Sequence, residues 1–107
     1  MKIDMKDLKA RAAQTLERQI AGGVPHYERS RHLRRLLPLA PEDFARKDVV
    51  TARRILLRLA NAMREERRRG RMGHWTYDLN RHIALAQAYR AEREALHTLD
   101  RHRESHD

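Results

Sequence analysis

Two long segments with helical periodicity, separated by a short stretch that contains glycine, constrain the fold of this chain more than any other feature. In the first, from about residue 41 or 48 to residue 69, apolar side chains recur at steps of three and four: Val49, Ala52, Ile55, Leu56, Leu59, Ala60 and Met63. In the second, which starts near residue 76 or 78, the apolar side carries Leu79, His82, Ile83, Leu85, Ala86, Tyr89, Leu96 and Leu99. Gly70 and Gly73 interrupt the pattern between the two segments. Because short connections join antiparallel neighbours, the sequence predicts an antiparallel helical hairpin.

Two shorter helices are predicted before this hairpin. The first covers about residues 3–21, and Gly22 or Gly23 is expected to end it in the left-handed conformation. Its apolar stripe consists of Met5, Leu8, Ala12, Leu16 and Ile20. The second covers residues 25–37, between Pro25 and Pro38. No segment alternates like a strand, so residues 1–107 are expected to form one domain, an all-α four-helix bundle.

The two ends of this domain are expected to differ in packing. Residues 1–23 form the N-terminal helix of the bundle. Residues 100–107 contain no apolar side chain, and the sequence therefore predicts a frayed tail there.

The composition excludes several classes of protein. Without cysteine the chain has no disulfides and no thiolate chemistry. It lacks an apolar run of about 18 residues, which a membrane span requires. The first residues lack the apolar region of a signal peptide. We therefore expect a cytoplasmic protein that makes no membrane contact.

The net charge of +9 is concentrated in the middle of the chain. Residues 28–71 contain fourteen basic and six acidic residues, a net charge of +8, and the remainder carries +1. Twenty of the 24 basic residues are arginines. The planar guanidinium group suits phosphate and carboxylate recognition, although a GC-rich genome would also account for this choice of residue.

The stretch MREERRRGRMGHW, residues 63–75, is the densest part of this charge. Five arginines fall within eight residues there, close to the only tryptophan. As a binding site, the arginines would contact phosphates, and His74 or Trp75 would stack on a base. The structural alternative is that the arginines balance the negative end of a helix dipole while Trp75 packs inward.

The leading hypothesis is a small, non-enzymatic binding protein, for example a transcriptional regulator, whose arginine-rich face contacts nucleic acid. The predicted contact residues are Arg29, Arg31, Arg34, Arg35, Arg53, Arg54, Arg58, Arg64, Arg67, Arg68, Arg69 and Arg71. A narrower version forms a helix-turn-helix from the second and third predicted helices. In that version the third helix lies in the major groove, which it contacts through Arg46, Lys47, Thr51, Arg53 and Arg54.

The alternative hypothesis is a protein–protein adaptor or small regulator that docks an acidic partner or forms a homodimer. Val50 and Leu57 lie seven residues apart on the basic side of the third helix, and with Trp75 they are the predicted partner-binding residues. A line of alanines at positions 84, 88, 91 and 95 is either a solvent face or a surface for a partner helix.

No catalytic, cofactor or metal constellation is recognisable. The two serines, at positions 30 and 105, belong to no hydrolase arrangement. The GxxG at residues 70–73 lacks the strand and the lysine of a phosphate-binding loop. His102 and His106 have helical spacing but no third ligand. His82 is expected to be half-buried and paired with a carboxylate or a backbone carbonyl. We therefore expect no enzyme, no cofactor and no metal.

Two stretches, HYERSRHLRRLLP (26–38) and TARRILLRLANAMREERRRGRMGHWTYDLNRHIALAQAYRAE (51–92), resemble a family of short, basic, helical bacterial proteins known only as a domain of unknown function. The resemblance rests on Tyr27, the RHLRRLL run, the arginine-rich turn and the segment 77–82. It implies a compact all-α unit in the bacterial cytoplasm, and it transfers no catalytic residue.

Overall fold

The structure, a computed structural model, describes residues 4–105. Over this range the chain is all-α, as predicted, and contains no strand. Its elements, in chain order, are α1 (Met5–Gly23), a 3₁₀ turn (Val24–His26), a π-helical turn (Arg29–Leu33) that continues into α2 (Arg34–Leu36), a 3₁₀ turn (Pro41–Phe44), α3 (Val49–Arg71) and α4 (Leu79–Ser105). The predicted hairpin is confirmed, because α3 and α4 form the most extensive helix–helix contact.

Local capping sets the N-terminal end of α3. Asp48 is extended and serves as the N-cap, and its carboxylate accepts hydrogen bonds from the Thr51 amide at 2.8 Å and the Thr51 hydroxyl at 3.0 Å. Of the two predicted starts, residue 48 is therefore the one that begins the helix. The residues Pro41–Phe44 form a separate 3₁₀ turn.

A Schellman motif ends α3, and it begins the α3–α4 turn, residues 72–78. Gly73 adopts the left-handed conformation, with φ of 61°. The His74 amide donates to the Arg69 carbonyl at 2.9 Å, and the Gly73 amide donates to the Gly70 carbonyl at 3.2 Å. Together these two bonds satisfy carbonyls that the helix end would otherwise leave without a partner.

Asp78 begins α4, as one of the two predicted caps. Its carboxylate accepts hydrogen bonds from the amides of Asn80 at 2.9 Å and Arg81 at 3.2 Å. The helix then continues to Ser105. The structure thus keeps residues 100–105 helical, in contrast to the predicted frayed tail. His102 and Arg103 in this last turn suit the negative end of the helix dipole. Residues 106 and 107 of the predicted tail, and with them His106, lie outside the described residues.

The core lies between α3, α4 and the segment 24–37. It is built from Leu33, Leu36, Leu37, Ile55, Leu59, Leu85 and Ala88. Ala88 is fully buried, and Ala84 packs against the same cluster. Of the predicted alanine line, Ala84 and Ala88 therefore pack within their own chain, whereas Ala95 is exposed.

The predicted second helix, residues 25–37, is not one regular helix. Tyr27 and Glu28 are extended and separate the 3₁₀ turn from the π-helical turn. With this break in the helix, Tyr27 and Arg29 both reach Glu92 on α4. Tertiary hydrogen bonds to a buried carboxylate thus outweigh local helix propensity.

The predicted left-handed cap of the first helix is also wrong. Val24 caps α1 in the right-handed conformation, with φ of −56°, and the chain continues directly into the 3₁₀ turn. Gly23 lies against the Gln87 side chain of α4. A Cβ atom at this position would lie 2.0 Å from Nε2 of Gln87, so a larger residue would require this flexible amide group to move.

The α1 helix packs on α4 through its C-terminal part, where Ile20 is buried. Nearby, Gln87 Nε2 donates to the Gln19 carbonyl at 3.0 Å. Residues 4–15 are exposed along their whole length, so the first half of the predicted apolar stripe is uncovered. Ile3, where the helix was predicted to begin, lies outside the described residues. Within residues 4–105, no helix combines the length and the apolar character needed to cross a membrane.

Candidate nucleic-acid interface

The helix α3 turns one face away from α4, and this face is strongly basic. At about 100° per residue, the side opposite the buried Ile55 contains five exposed arginines. We call these residues the basic face of α3: Arg53, Arg64, Arg67, Arg68 and Arg71. They extend over about 27 Å of helix. The two acids of α3 lie elsewhere, since Glu65 is at the flank and Glu66 is buried beneath.

Little negative charge balances the basic face. Arg68 Nη2 lies 2.8 Å from Glu65 Oε1, and this hydrogen bond holds the pKa of Glu65 below its usual value. Arg64 donates to Asn61, which carries no charge. Within the described part of the chain, Arg53, Arg67 and Arg71 form no ion pair and no side-chain hydrogen bond. Four of the five guanidinium groups therefore have no acidic partner among these residues, and the fifth, Arg68, is held only by an exposed and therefore weak ion pair that an anionic ligand can replace.

Arg69 was predicted to belong to this site, but the structure engages it inside the protein. Its Nη1 donates to Oε1 of the buried Glu66 at 3.0 Å. The same carboxylate lies 3.4 Å from Arg81 Nε and accepts a hydrogen bond from the Asp78 amide at 3.4 Å. Glu66 thus joins α3, the α3–α4 turn and α4, and we leave Arg69 out of the candidate site.

Arg29 is likewise committed to an internal carboxylate. Its Nη2 lies 2.6 Å from Oε2 of Glu92, and its Nε donates to Oε1 at 2.9 Å. Tyr27 donates its hydroxyl to the same Oε1 at 3.0 Å, and Arg29 also donates to the Arg46 carbonyl. The hydrogen bond to Glu92 raises the pKa of Arg29, and burial followed by the charge of Glu92 raises the pKa of Tyr27. Arg29 therefore stabilises the fold, and we leave it out of the candidate site.

Other arginines of the predicted set also have internal roles. Arg54 forms an ion pair with Asp43, whose side chain is buried. Arg34 lies over the Phe44 ring, with 4.9 Å from its Cζ to the ring centroid. The remaining three arginines lie off the basic face of α3. Arg31 is 3.7 Å from Glu28, and Arg58 is half-buried. Arg35 lines a shallow groove together with Ala84 and Gln87.

The helix-turn-helix version of the hypothesis does not agree with the structure. Its first helix is replaced by short turns, as described above. Thr51, one of the residues predicted to face the major groove, is 2% exposed, and both its amide and its hydroxyl are bound to Asp48. A side chain in this position cannot read a base edge.

The predicted partner-binding residues are exposed but do not form one patch. Val50 is 74% exposed and Leu57 is 61% exposed, both near the N-terminal half of α3. Trp75 is 88% exposed in the α3–α4 turn, so the alternative in which it packs inward is excluded. From Leu57 to Arg71 the helix rises about 21 Å, which separates the apolar pair from the turn.

Sequence reasoning missed the two buried glutamates, Glu66 and Glu92. A signal was present, because each falls on the apolar arc of its helix, Glu66 in line with Ile55 and Glu92 in line with Leu85. An acid in that position needs a cationic partner. The hydrogen-bond partner of His82 also differs from the expected carboxylate or backbone carbonyl, since within residues 4–105 its Nδ1 lies 3.2 Å from the Tyr77 hydroxyl.

The fold and this surface define a small all-α protein that exposes a basic helix face. No family model matches the sequence, and no curated protein or solved structure is significantly similar to it. The resemblance of residues 26–38 and 51–92 to a family of basic bacterial proteins stays a prediction.

Proposed function

We propose that this protein is a non-enzymatic nucleic-acid-binding protein and that the basic face of α3 contacts the phosphate backbone. One observation carries the proposal. Arg29, Arg54 and Arg69 neutralise buried acids, whereas the five arginines of this face are exposed and, within the described residues, only Arg68 among them pairs with an acid, Glu65. Charge that serves no purpose within the fold is available to an external polyanion.

The physical basis is the release of counterions from the nucleic acid. Each arginine that neutralises a phosphate displaces condensed cations, so affinity falls as salt rises. Five contacts give a slope of log K against log salt of about −4.5 on duplex DNA and about −3.5 on a single strand. Such contacts position the protein on the backbone and carry little information on base sequence.

The test is fluorescence anisotropy of labelled random-sequence duplex and single strands at about 50 and 200 mM salt, the range over which phosphate contacts lose most affinity. The triple variant Arg67→Gln, Arg68→Gln, Arg71→Gln removes three charges from the basic face. A matched control, Lys6→Gln, Lys9→Gln, Arg11→Gln, removes three charges from the exposed half of α1.

We expect the wild type to lose a few hundredfold in affinity between the two salt concentrations. The triple variant should bind weakly with a slope smaller by about two to three, while the control keeps most of the affinity. Absence of binding at the lower salt concentration would contradict the proposal. If both variants lose the same affinity, binding comes from the net charge of the protein and not from the basic face of α3.

The exposed pair Val50 and Leu57 favours a second candidate function, docking of a protein partner. The two large apolar side chains are seven residues apart and therefore lie on the same face of α3, with Arg53 and Arg54 between them in the chain. Such a surface fits an amphipathic acidic segment. This candidate uses the N-terminal half of α3, so it can be tested separately from the arginines near the turn.

A further inference from the structure

Trp75 is exposed and does not belong to the hydrophobic core. It is the only tryptophan of the chain and it is 88% exposed; Met72, three residues earlier in the chain, is also exposed. An indole ring at this position contributes nothing to the core, which is formed by residues of α3, α4 and the segment 24–37. An exposed indole ring beside a basic surface is the combination with which proteins stack on nucleic-acid bases.

Backbone hydrogen bonds order the turn on both sides of Trp75. The Schellman motif at Gly73 fixes the preceding residues to the end of α3. On the other side, the Tyr77 amide donates to the His74 carbonyl at 3.0 Å, and the Tyr77 ring packs against Gly70. Trp75 is therefore presented from an ordered turn, which lowers the entropy cost of using it as a contact.

The indole ring is stacked on a neighbouring imidazole. The centroids of His74 and Trp75 are 5.9 Å apart, with an interplanar angle of 24°. The His74 ring is itself held, because the Thr76 amide donates to its Nδ1 at 3.2 Å. The two rings form a small aromatic platform in which both residues are exposed to solvent.

Positive charge surrounds this platform. Residues 64–75 contain five arginines and two glutamates, and one of these glutamates is the buried Glu66. Arg71, on the basic face of α3, is four residues from Trp75, so their Cα atoms are at most about 14 Å apart. An anionic chain bound to the end of the basic face would thus pass within reach of the indole ring.

We infer that the α3–α4 turn binds unpaired bases of single-stranded nucleic acid, with Trp75 stacking on a base while Arg68 and Arg71 contact the adjoining phosphates. This inference rests on the proposed function and names its substrate class. In a duplex, neighbouring base pairs cover the faces of each base, whereas a single strand can present a face to the indole. Stacking of this kind tolerates any base sequence.

Trp75 itself is the probe for the experiment. Because no other tryptophan is present, its emission reports directly on the ring in question. The full chain is titrated with unlabelled oligothymidine and with the same strand paired to oligoadenine, and anisotropy of labelled strands measures affinity in parallel. The variants are Trp75→Ala and Trp75→Phe, whose folding is checked by circular dichroism.

We expect the single strand to quench Trp75 emission and the duplex to leave it nearly unchanged. Trp75→Ala should lower single-strand affinity by about five- to a hundredfold, Trp75→Phe should keep most of it, and duplex affinity should change little. Strand binding that is unchanged in Trp75→Ala, without quenching, would overturn the inference and leave the proposed function standing.

Two other outcomes would also overturn it. If neither nucleic acid binds, the proposed function fails together with the inference. If vesicles of anionic phospholipid shift the Trp75 emission to shorter wavelength while the strand does not quench it, the platform is a membrane contact instead.

Discussion

Arg29 and Glu92, 63 residues apart in the chain, form a nearly buried ion pair in which Nη2 lies 2.6 Å from Oε2. The Glu92 side chain is 3% exposed, and its second oxygen accepts hydrogen bonds from Arg29 Nε and from the Tyr27 hydroxyl. The pair attaches the irregular segment before α2 to the middle of α4. It also removes one arginine from the surface available to ligands.

Loss of the Glu92 charge should destabilise the fold strongly. In Glu92→Gln the guanidinium group of Arg29 remains in place without its counterion, and we expect the free energy of unfolding to fall by about 3 kcal/mol. Urea denaturation followed by circular dichroism measures this change. The control is Glu17→Gln, at an exposed ion pair with Arg90, which should have little effect.

The double variant Arg29→Met, Glu92→Leu sharpens this test. Replacing both charges by apolar groups of similar size should restore much of the lost stability, because no charge is then left without a partner. If the double variant is no more stable than Glu92→Gln, the unpaired cation is not the main cause of the loss, and altered packing together with the lost acceptor of the Tyr27 hydroxyl accounts for it.

The Tyr27 hydroxyl should make stability depend on alkaline pH. Burial, then the negative charge of Glu92 and the hydrogen bond to it, raise the pKa of Tyr27 well above its ordinary value of 10.0. The unfolded chain therefore releases this proton first. The contribution of Tyr27 is complete below about pH 10 and decreases as pH rises further, by at most about 1.4 kcal/mol per pH unit.

Comparison with Tyr27→Phe isolates this effect from other groups that titrate at high pH. At pH 8 the substitution should lower the free energy of unfolding by about 1 to 2 kcal/mol. The difference between wild type and variant, measured at pH 8, 10 and 11, should then shrink. A difference that stays constant across this range would mean that Tyr27 ionises equally in the folded and unfolded states.

Arg69 and Arg71 should respond differently to the same substitution, although they are two residues apart. Arg69→Gln removes a partner of the buried Glu66 and should lower the free energy of unfolding by about 1 to 2 kcal/mol. Arg71→Gln should change it by less than about 0.5 kcal/mol. It should instead lower the magnitude of the salt slope of nucleic-acid binding by about 0.7 to 0.9.

Thermal or urea denaturation and anisotropy titrations on the two variants supply both readouts. The assignment of internal and external arginines is contradicted if Arg69→Gln alone lowers the salt slope, or if Arg71→Gln alone destabilises the fold.

The second candidate function predicts that Leu57 belongs to a docking surface. Leu57→Asp should abolish self-association in sedimentation velocity, or capture of an acidic partner, since an acid replaces apolar contact area. Because the side chain is 61% exposed, the free energy of unfolding should change by less than about 0.5 kcal/mol. Leu57→Ser is the matched variant that removes the apolar surface without adding charge. Association retained in both variants would exclude this face.

Local features of the fold could be predicted from the amino-acid order. The hairpin of α3 and α4 follows from helical periodicity, Asp48 and Asp78 cap the helix starts, and Gly73 takes the left-handed conformation at the end of α3. Each of these depends on residues within a few positions of one another. The exposure of Val50 and Leu57 follows in the same way, from their position opposite the apolar arc.

Features that depend on distant residues could not be predicted. At the break, Glu92 binds Tyr27, which is one of the two extended residues, and Arg29, which directly follows them, and nothing local to residues 25–37 indicates that carboxylate. Gly22 or Gly23 was expected to end the first helix in the left-handed conformation, yet the chain continues from α1 through Val24 directly into the 3₁₀ turn.

The sequence by itself determined the helical class, the hairpin and the amount of positive charge in residues 28–71. Only the tertiary structure decided where that charge acts. Arg29, Arg54 and Arg69 face buried carboxylates, while Arg53, Arg67 and Arg71 face solvent. The physical reason is that a buried carboxylate requires a nearby cation, and which arginine supplies it depends on distances that the chain acquires only when its helices pack.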